Sequence, residues 1–170
     1  MNHKNYKLLV IEDEAELREY IVSVLTEELD INIVEARDGK EALELFDKHD
    51  FDAVLSDQSM PHINGLQVLQ AVRAKKYEIP FVMLTAYGDN EKIYEGLRMG
   101  INDFLQKPCR AEKLIKVVTM ALEIGACRRV IQKNLEDISS ENSLAGQKAK
   151  ESLERLANIS KIHLLNSYHT

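Results

Sequence analysis

The sequence predicts an α/β fold, a doubly wound five-stranded parallel sheet with helices on both faces and a C-terminal helical tail. Three observations lead there. Through the first 126 residues, short β-branched or apolar runs alternate with amphipathic stretches of helical period. The runs are too uniformly apolar for a sheet with one wet face. Finally, Pro61, Pro80 and Pro108 all lie at the boundaries of predicted elements, so no helix is interrupted.

The predicted strands are KLLVIE (7–12), INIVEA (31–36), FDAVLSD (51–57), PFVMLT (80–85) and DFLQK (103–107). The first helix is carried by Leu17, Ile21, Val24 and Leu25, the second by Ala42, Leu43 and Phe46. Leu66, Val68, Leu69 and Val72 mark the third, Ile93, Leu97 and Met99 the fourth, and Leu114, Ile115, Val118 and Leu122 the fifth. Asp38 is an expected N-cap, with Glu41 three residues on to serve free amide donors at that helix start. Gly65, Gly88 and Gly100 fall in predicted connections or helix ends.

Two segments follow from this pattern, residues 5–126 and a helical extension over 127–170. DISSENSLAGQ (137–147) predicts a break in the extension. Beyond it, Leu153, Leu156, Ile159, Ile162 and Leu165 predict an amphipathic helix. Three readings of the extension stand: it dimerises the chain, docks on the first segment or on a partner protein, or begins a further domain. Residues 1–126 hold 15 Lys+Arg against 23 Asp+Glu, and residues 127–170 hold 7 against 5. The acidic main segment argues against a nucleic-acid surface. No apolar run reaches the roughly 18 residues of a membrane span, and the N-terminus lacks the pattern of a signal peptide, so a cytoplasmic location is expected. Cys109 and Cys127 have neither metal-ligand nor redox spacing, and the five histidines share none.

In an open parallel sheet, ligands bind beyond the carboxyl ends of the strands. This chain places Glu12 and Asp13 there from the first strand, Asp57 from the third, Thr85 from the fourth and Lys107 from the fifth. Neighbouring carboxylates repel, which favours a bound cation, and an all-oxygen site suits magnesium best. One carboxylate can then attack phosphorus while Lys107 and Thr85 meet phosphoryl oxygens. The site reads as a phosphate acceptor.

The motifs IEDE (11–14), LSDQSMPHINGL (55–66), MLTAYGD (83–89) and GINDFLQKP (100–108), in this order, resemble the CheY-like receiver domain of two-component response regulators. The resemblance covers about residues 5–126. It implies the flavodoxin-like strand order 2-1-3-4-5, and Asp57 as the phosphorylated residue, with Thr85 and Lys107 as its catalytic partners. It further implies that Asp13, Asp57 and the Ser59 backbone carbonyl hold magnesium, with Glu12 acting mainly through water. Thr85 and Phe104 match the family's switch pair, and Ser59 and Tyr87 the positions that tune dephosphorylation. A cis bond between Lys107 and Pro108 is also implied. Ile101 departs from the small residue usual at that corner.

The implied function is a signalling switch, not a turnover enzyme. It takes a phosphoryl group from a sensor histidine kinase or phosphotransfer protein and changes partners through the face of helix four, strand five and helix five, or through the tail. The alternatives are a phosphorelay intermediate or the receiver fragment of a longer regulator. Homodimerisation is a further expectation, and neither nucleic acid nor membrane is an expected partner. A phosphatase with an aspartyl nucleophile is the rival from another class. Haloacid-dehalogenase-like enzymes need a second acid two residues after the nucleophile, where this chain has Ser59.

Overall fold

The computed structural model describes residues 6–75, 78–86 and 90–140, with side chains through residue 136. Along the chain lie β1 (Lys7–Ile11), α1 (Ala15–Glu28), β2 (Asn32–Ala36), α2 (Gly39–Phe46), β3 (Ala53–Asp57) and α3 (Gly65–Ala74). These are followed by β4 (Phe81–Thr85), α4 (Asn90–Met99), β5 (Asp103–Gln106) and α5 (Ala111–Ser140). Every predicted strand and helix of residues 5–126 is present. The strands are one or two residues shorter than the apolar runs, whose end residues, such as Phe51 and Glu12, are buried just beyond the paired positions.

All four strand pairings are parallel, in the order β2-β1-β3-β4-β5. Side-chain alternation sorts the core into two layers. Leu9, Ile11, Val54, Phe81 and Met83 pack with residues of α2, α3 and α4 on one face. Leu8, Val10, Leu55, Val82, Leu84 and Leu105 pack with α1 and α5 on the other. The central strands β3 and β4 are buried at all five positions, which explains their unbroken apolar runs.

Helix starts are set by local chemistry. Asp38 accepts a hydrogen bond from Glu41 N at 2.8 Å, as its N-cap position predicts. The Glu41 carboxylate reaches one residue further back, accepting from Arg37 N at 2.9 Å. The full capping box lies instead at α3, where Asn64 and Gln67 exchange side-chain and backbone bonds, both 3.0 Å. Gly100 ends α4 with φ 88°, a conformation that glycine adopts without strain. Ile101, the unusual corner residue, is 5% exposed and packs in the α3–α4 layer. Gly96 makes room for it, since a Cβ there would lie 3.1 Å from the Ile101 side chain.

The chain divides into two compact units, residues 1–125 and 126–170. The expected break at 137–147 is not reached within α5, which continues through Ser140. Residues 141–147, the segment beyond them where an amphipathic helix is expected, and Gly88 lie outside the described residues.

At Gly125 the α5 backbone comes close to the chain just before β3. A Cβ there would stand 1.7 Å from the Asp52 carbonyl oxygen, where neither backbone can yield cheaply. Gly125→Ala is therefore expected to lower stability by about 1–3 kcal/mol, read as a fall in the urea midpoint. Gly96→Ala meets only side-chain atoms, and its helix-propensity gain of up to about 1 kcal/mol should offset most of that crowding. An unchanged midpoint for Gly125→Ala would contradict the close approach.

Candidate functional site

Three of the predicted site residues meet at one point. β1 delivers Glu12 just past its end, and β3 ends in Asp57 beside it, because β1 and β3 are ladder neighbours. The Lys107 ammonium, from the chain just after β5, lies 2.8 Å from Glu12 Oε2 and 2.9 Å from Asp57 Oδ1. Glu12 is 1% exposed and Asp57 4%, so both carboxylates are held out of bulk water and need a counter-charge.

Backbone bonds fix this arrangement. Lys107 N donates to Thr85 O at 2.8 Å, which ties the lysine's chain to the end of β4. Glu12 N donates to Ala36 O at 3.1 Å, and the Arg18 guanidinium donates to Glu12 O at 2.8 Å while paired with Glu35. The β3 end is covered by the start of α3. Gly65 N donates to Gln58 O at 3.2 Å, and a Cβ on Gly65 would lie 2.4 Å from Asp57 O. Only glycine allows α3 to begin so close to the phosphoacceptor candidate. The connecting loop also holds His62 at φ 64°, an uncommon conformation outside glycine. The Lys107–Pro108 peptide is cis.

Charge couples these groups. Burial pushes the Glu12 carboxyl up from its ordinary range and Asp57 adds to the rise, against the opposing hydrogen bond from Lys107. Burial alone would lower the Lys107 ammonium, but its hydrogen bonds to Glu12 and Asp57 prevail and hold it above the usual lysine value.

Glu12, Asp13 and Asp57 bring carboxylate oxygens within 4.8 Å of one another, with Asp13 exposed at the mouth. Three carboxylates against one ammonium leave a formal charge of −2, which one divalent cation would balance. The donors are all oxygen, so the set fits a hard ion that also keeps waters.

The remaining predicted residues are placed as follows. Thr85 is 1% exposed, and its hydroxyl has no hydrogen-bond partner among the described residues. Phe104 is half-buried opposite Met83 in the β4–β5 ladder and packs against the α2–α3–α4 core layer. Ser59 is exposed two residues beyond Asp57, and Tyr87 lies outside the described residues. Gln58 was not singled out from the sequence. It is 1% exposed, and its side-chain carbonyl, like the Thr85 hydroxyl, lacks a partner among the described residues.

The family model of the response regulator receiver domain matches residues 8–119. The chain is 35% identical over 121 residues to the chemotaxis protein CheY-3 of Vibrio cholerae, covering 68% of this chain and 93% of that protein. It is 37% identical over 114 residues to the regulatory protein LuxO of the same species, covering 66% of this chain but only 25% of LuxO. Among solved structures, the receiver domain of the Francisella response regulator 1452 aligns with TM-score 0.65 and 32% identity, over 70% of this chain and 98% of that one.

Removing the ammonium should expose the repulsion it hides. In magnesium-free buffer, Lys107→Met is expected to cost about 1–3 kcal/mol of unfolding free energy at neutral pH. A carboxyl whose folded pKa lies above its unfolded value opposes folding as pH rises through that folded pKa. Glu12 is such a group, so the loss should shrink as pH falls toward the ordinary carboxyl range. Urea titrations of both proteins across this range test it, and a pH-independent difference would refute the coupling.

Proposed function

The chain belongs to the response regulator receiver domain family of two-component signalling, and on that premise we propose that Asp57 is its phosphoacceptor. The observation that carries this reading is the contact of Lys107 with Asp57 and Glu12 at the carboxyl ends of the strands. Receiver domains are not turnover enzymes; the chemistry proposed is the chain's own modification and its reversal.

An Asp57 carboxylate oxygen attacks the phosphorus of a phosphohistidine on a sensor kinase or phosphotransfer protein, and the P–N bond breaks as the imidazole leaves. In the discharge step, water attacks phosphorus, the P–O bond to Asp57 breaks with the carboxylate as leaving group, and inorganic phosphate is released. Asp13, Asp57 and the Ser59 carbonyl would hold magnesium, with Glu12 acting through water, and the bound ion would neutralise phosphoryl oxygens. Lys107 already sits within hydrogen-bond distance of Asp57, so it can follow the charge onto a phosphoryl oxygen. The Thr85 hydroxyl can turn toward another. Ser59 and Tyr87 are proposed to set how readily water reaches the phosphoryl group.

The output is a shift between two populations. Recruitment of Thr85 pulls on the end of β4, and Phe104, on the neighbouring strand, repacks against the core layer it already touches. The surface of α4, β5 and α5 would then change its protein partners. The extension over 127–170 is a second candidate for that contact, including contact with a second copy of the chain.

The reading is tested by incubating the full chain with acetyl phosphate and magnesium. Wild type should acquire a hydroxylamine-labile phosphoryl group, Asp57→Asn none, and Asp13→Asn should need at least about tenfold more magnesium for the same labelling. Undiminished labelling of Asp57→Asn would remove the assignment. Magnesium chelation should abolish labelling in every variant.

A further inference from the structure

Just beyond β1, the chain that carries the acidic pair is held by a side chain of α1. Ile11 pairs with Ala36, and Glu12 N donates to Ala36 O at 3.1 Å, which fixes the amide side of Glu12 against β2. The carbonyl side is fixed by Arg18, the fourth residue of α1, whose Nη1 donates to Glu12 O at 2.8 Å. The same guanidinium sets its Nε 3.3 Å from Glu35 Oε2 on β2, and its side chain is only 17% exposed. A planar fork of fixed donors can serve two acceptors at once, which an ammonium cannot do with the same geometry. The tie matters because α1 begins without a side-chain cap: Glu14, at its N-cap, makes no such bond. Arg18 therefore joins the helix, the β2 edge and the turn between β1 and α1 through one group.

The peptide linking Glu12 to Asp13 is planar, so holding the Glu12 carbonyl also sets the direction in which the chain delivers Asp13. Asp13 is exposed, yet its carboxylate oxygen lies within 4.8 Å of those of Glu12 and Asp57. Magnesium demands near-ideal octahedral geometry, so small displacements of one ligand are felt in its affinity. The guanidinium charge is paired with Glu35, which leaves its grip on the backbone as its contribution here. In agreement, burial, Lys107, Asp57 and the Glu14 amide act on the Glu12 carboxyl, and Arg18 is not among the groups that shift it. We propose that Arg18 is a positioning residue for the acidic pair, clamping the Glu12 carbonyl so that Asp13 is presented to a divalent cation shared with Asp57.

This inference rests on the magnesium site of the proposed function, and the two can fail separately. The test measures magnesium affinity of the full chain by calorimetry, with no phosphoryl donor present. Arg18→Met should bind about tenfold more weakly than wild type, the low end of what losing a group that orients a metal ligand costs. An influence through charge alone predicts the opposite sign, since removing a cation beside an anionic site tightens cation binding. Arg18→Lys keeps the charge without the fork and should lose at least about threefold, where charge alone predicts wild-type affinity. A merely structural Arg18 would lower the urea midpoint in magnesium-free buffer and leave the affinity of the folded protein unchanged. Unchanged or tightened binding by Arg18→Met, or wild-type binding by Arg18→Lys, overturns the proposal when wild type binds and Asp13→Asn is weakened. If wild type binds no magnesium, or Asp13→Asn binds as tightly, the magnesium site itself falls and this inference with it. Should Arg18→Met fail to fold, Arg18→Lys decides the question by the same criterion.

Discussion

The Lys107 ammonium is the constraint on which the site depends. It contacts carboxylates delivered by β1 and β3 although it follows β5, so it must reach across the end of β4. Strands lie roughly 4.8 Å apart, so only a long side chain entering from a well-fixed backbone can span that gap. The fixing comes from the bond between Lys107 N and Thr85 O, which anchors the lysine to the strand it crosses. Were the strand order different, β1 and β3 would not be neighbours and the two acids would not share one cation. Fold topology and site chemistry are therefore one requirement at this edge.

That requirement also explains why the site is built from buried acids. A carboxylate in bulk water gains little from a lysine, since exposed pairs contribute about 0–1 kcal/mol. Glu12 and Asp57 are nearly inaccessible, so Lys107 offsets part of the cost of burying their charge, and the repulsion from Asp57 still helps to hold the Glu12 carboxyl above its ordinary range. The residual negative charge, with Asp13 open to solvent at the mouth, suits a cation entering from outside. Close approach of α3, permitted by Gly65, holds the β3 end in place while this charge is unbalanced.

Much of this was legible in the sequence because it depends on periodicity and on strand ends. Alternating apolar runs marked five strands and five helices, and the acids and lysine at the run ends pointed to the candidate site where the structure brings Glu12, Asp13, Asp57 and Lys107 together. What stayed hidden depends on which backbones approach each other. Nothing near Gly125 reveals that its missing Cβ faces the Asp52 carbonyl, some seventy residues away in sequence. The Asn64–Gln67 capping box was written in the sequence, but Asn64 lay inside the 55–66 motif that was read for its family resemblance, and Gln67 just beyond it. Gln58 was concealed for the same reason, as a polar residue in a loop motif usually faces water, and only the β3–β4 register with the cover of α3 buries it.

The distribution of burial says which elements can move in response to charge at Asp57. α3 buries Gly65, Leu66, Val68, Leu69 and Val72, whereas α4, of equal length, buries only Gly96 and Leu97. β5 is a four-residue edge strand with one buried position, Leu105, while β3 and β4 are buried throughout. Elements with few buried apolar groups open and shift at lower free-energy cost than those at the centre. Thr85 ends β4 and Phe104 lies on β5, so the proposed switch residues sit where the rigid centre meets this lightly anchored edge. A hydrogen bond gained by Thr85 is worth about 1 kcal/mol, too little to rearrange β3 or α3 but comparable with the cost of repacking one half-buried aromatic at the edge. The size of the signal and the looseness of the receiving elements are thus matched, which is what a reversible switch requires.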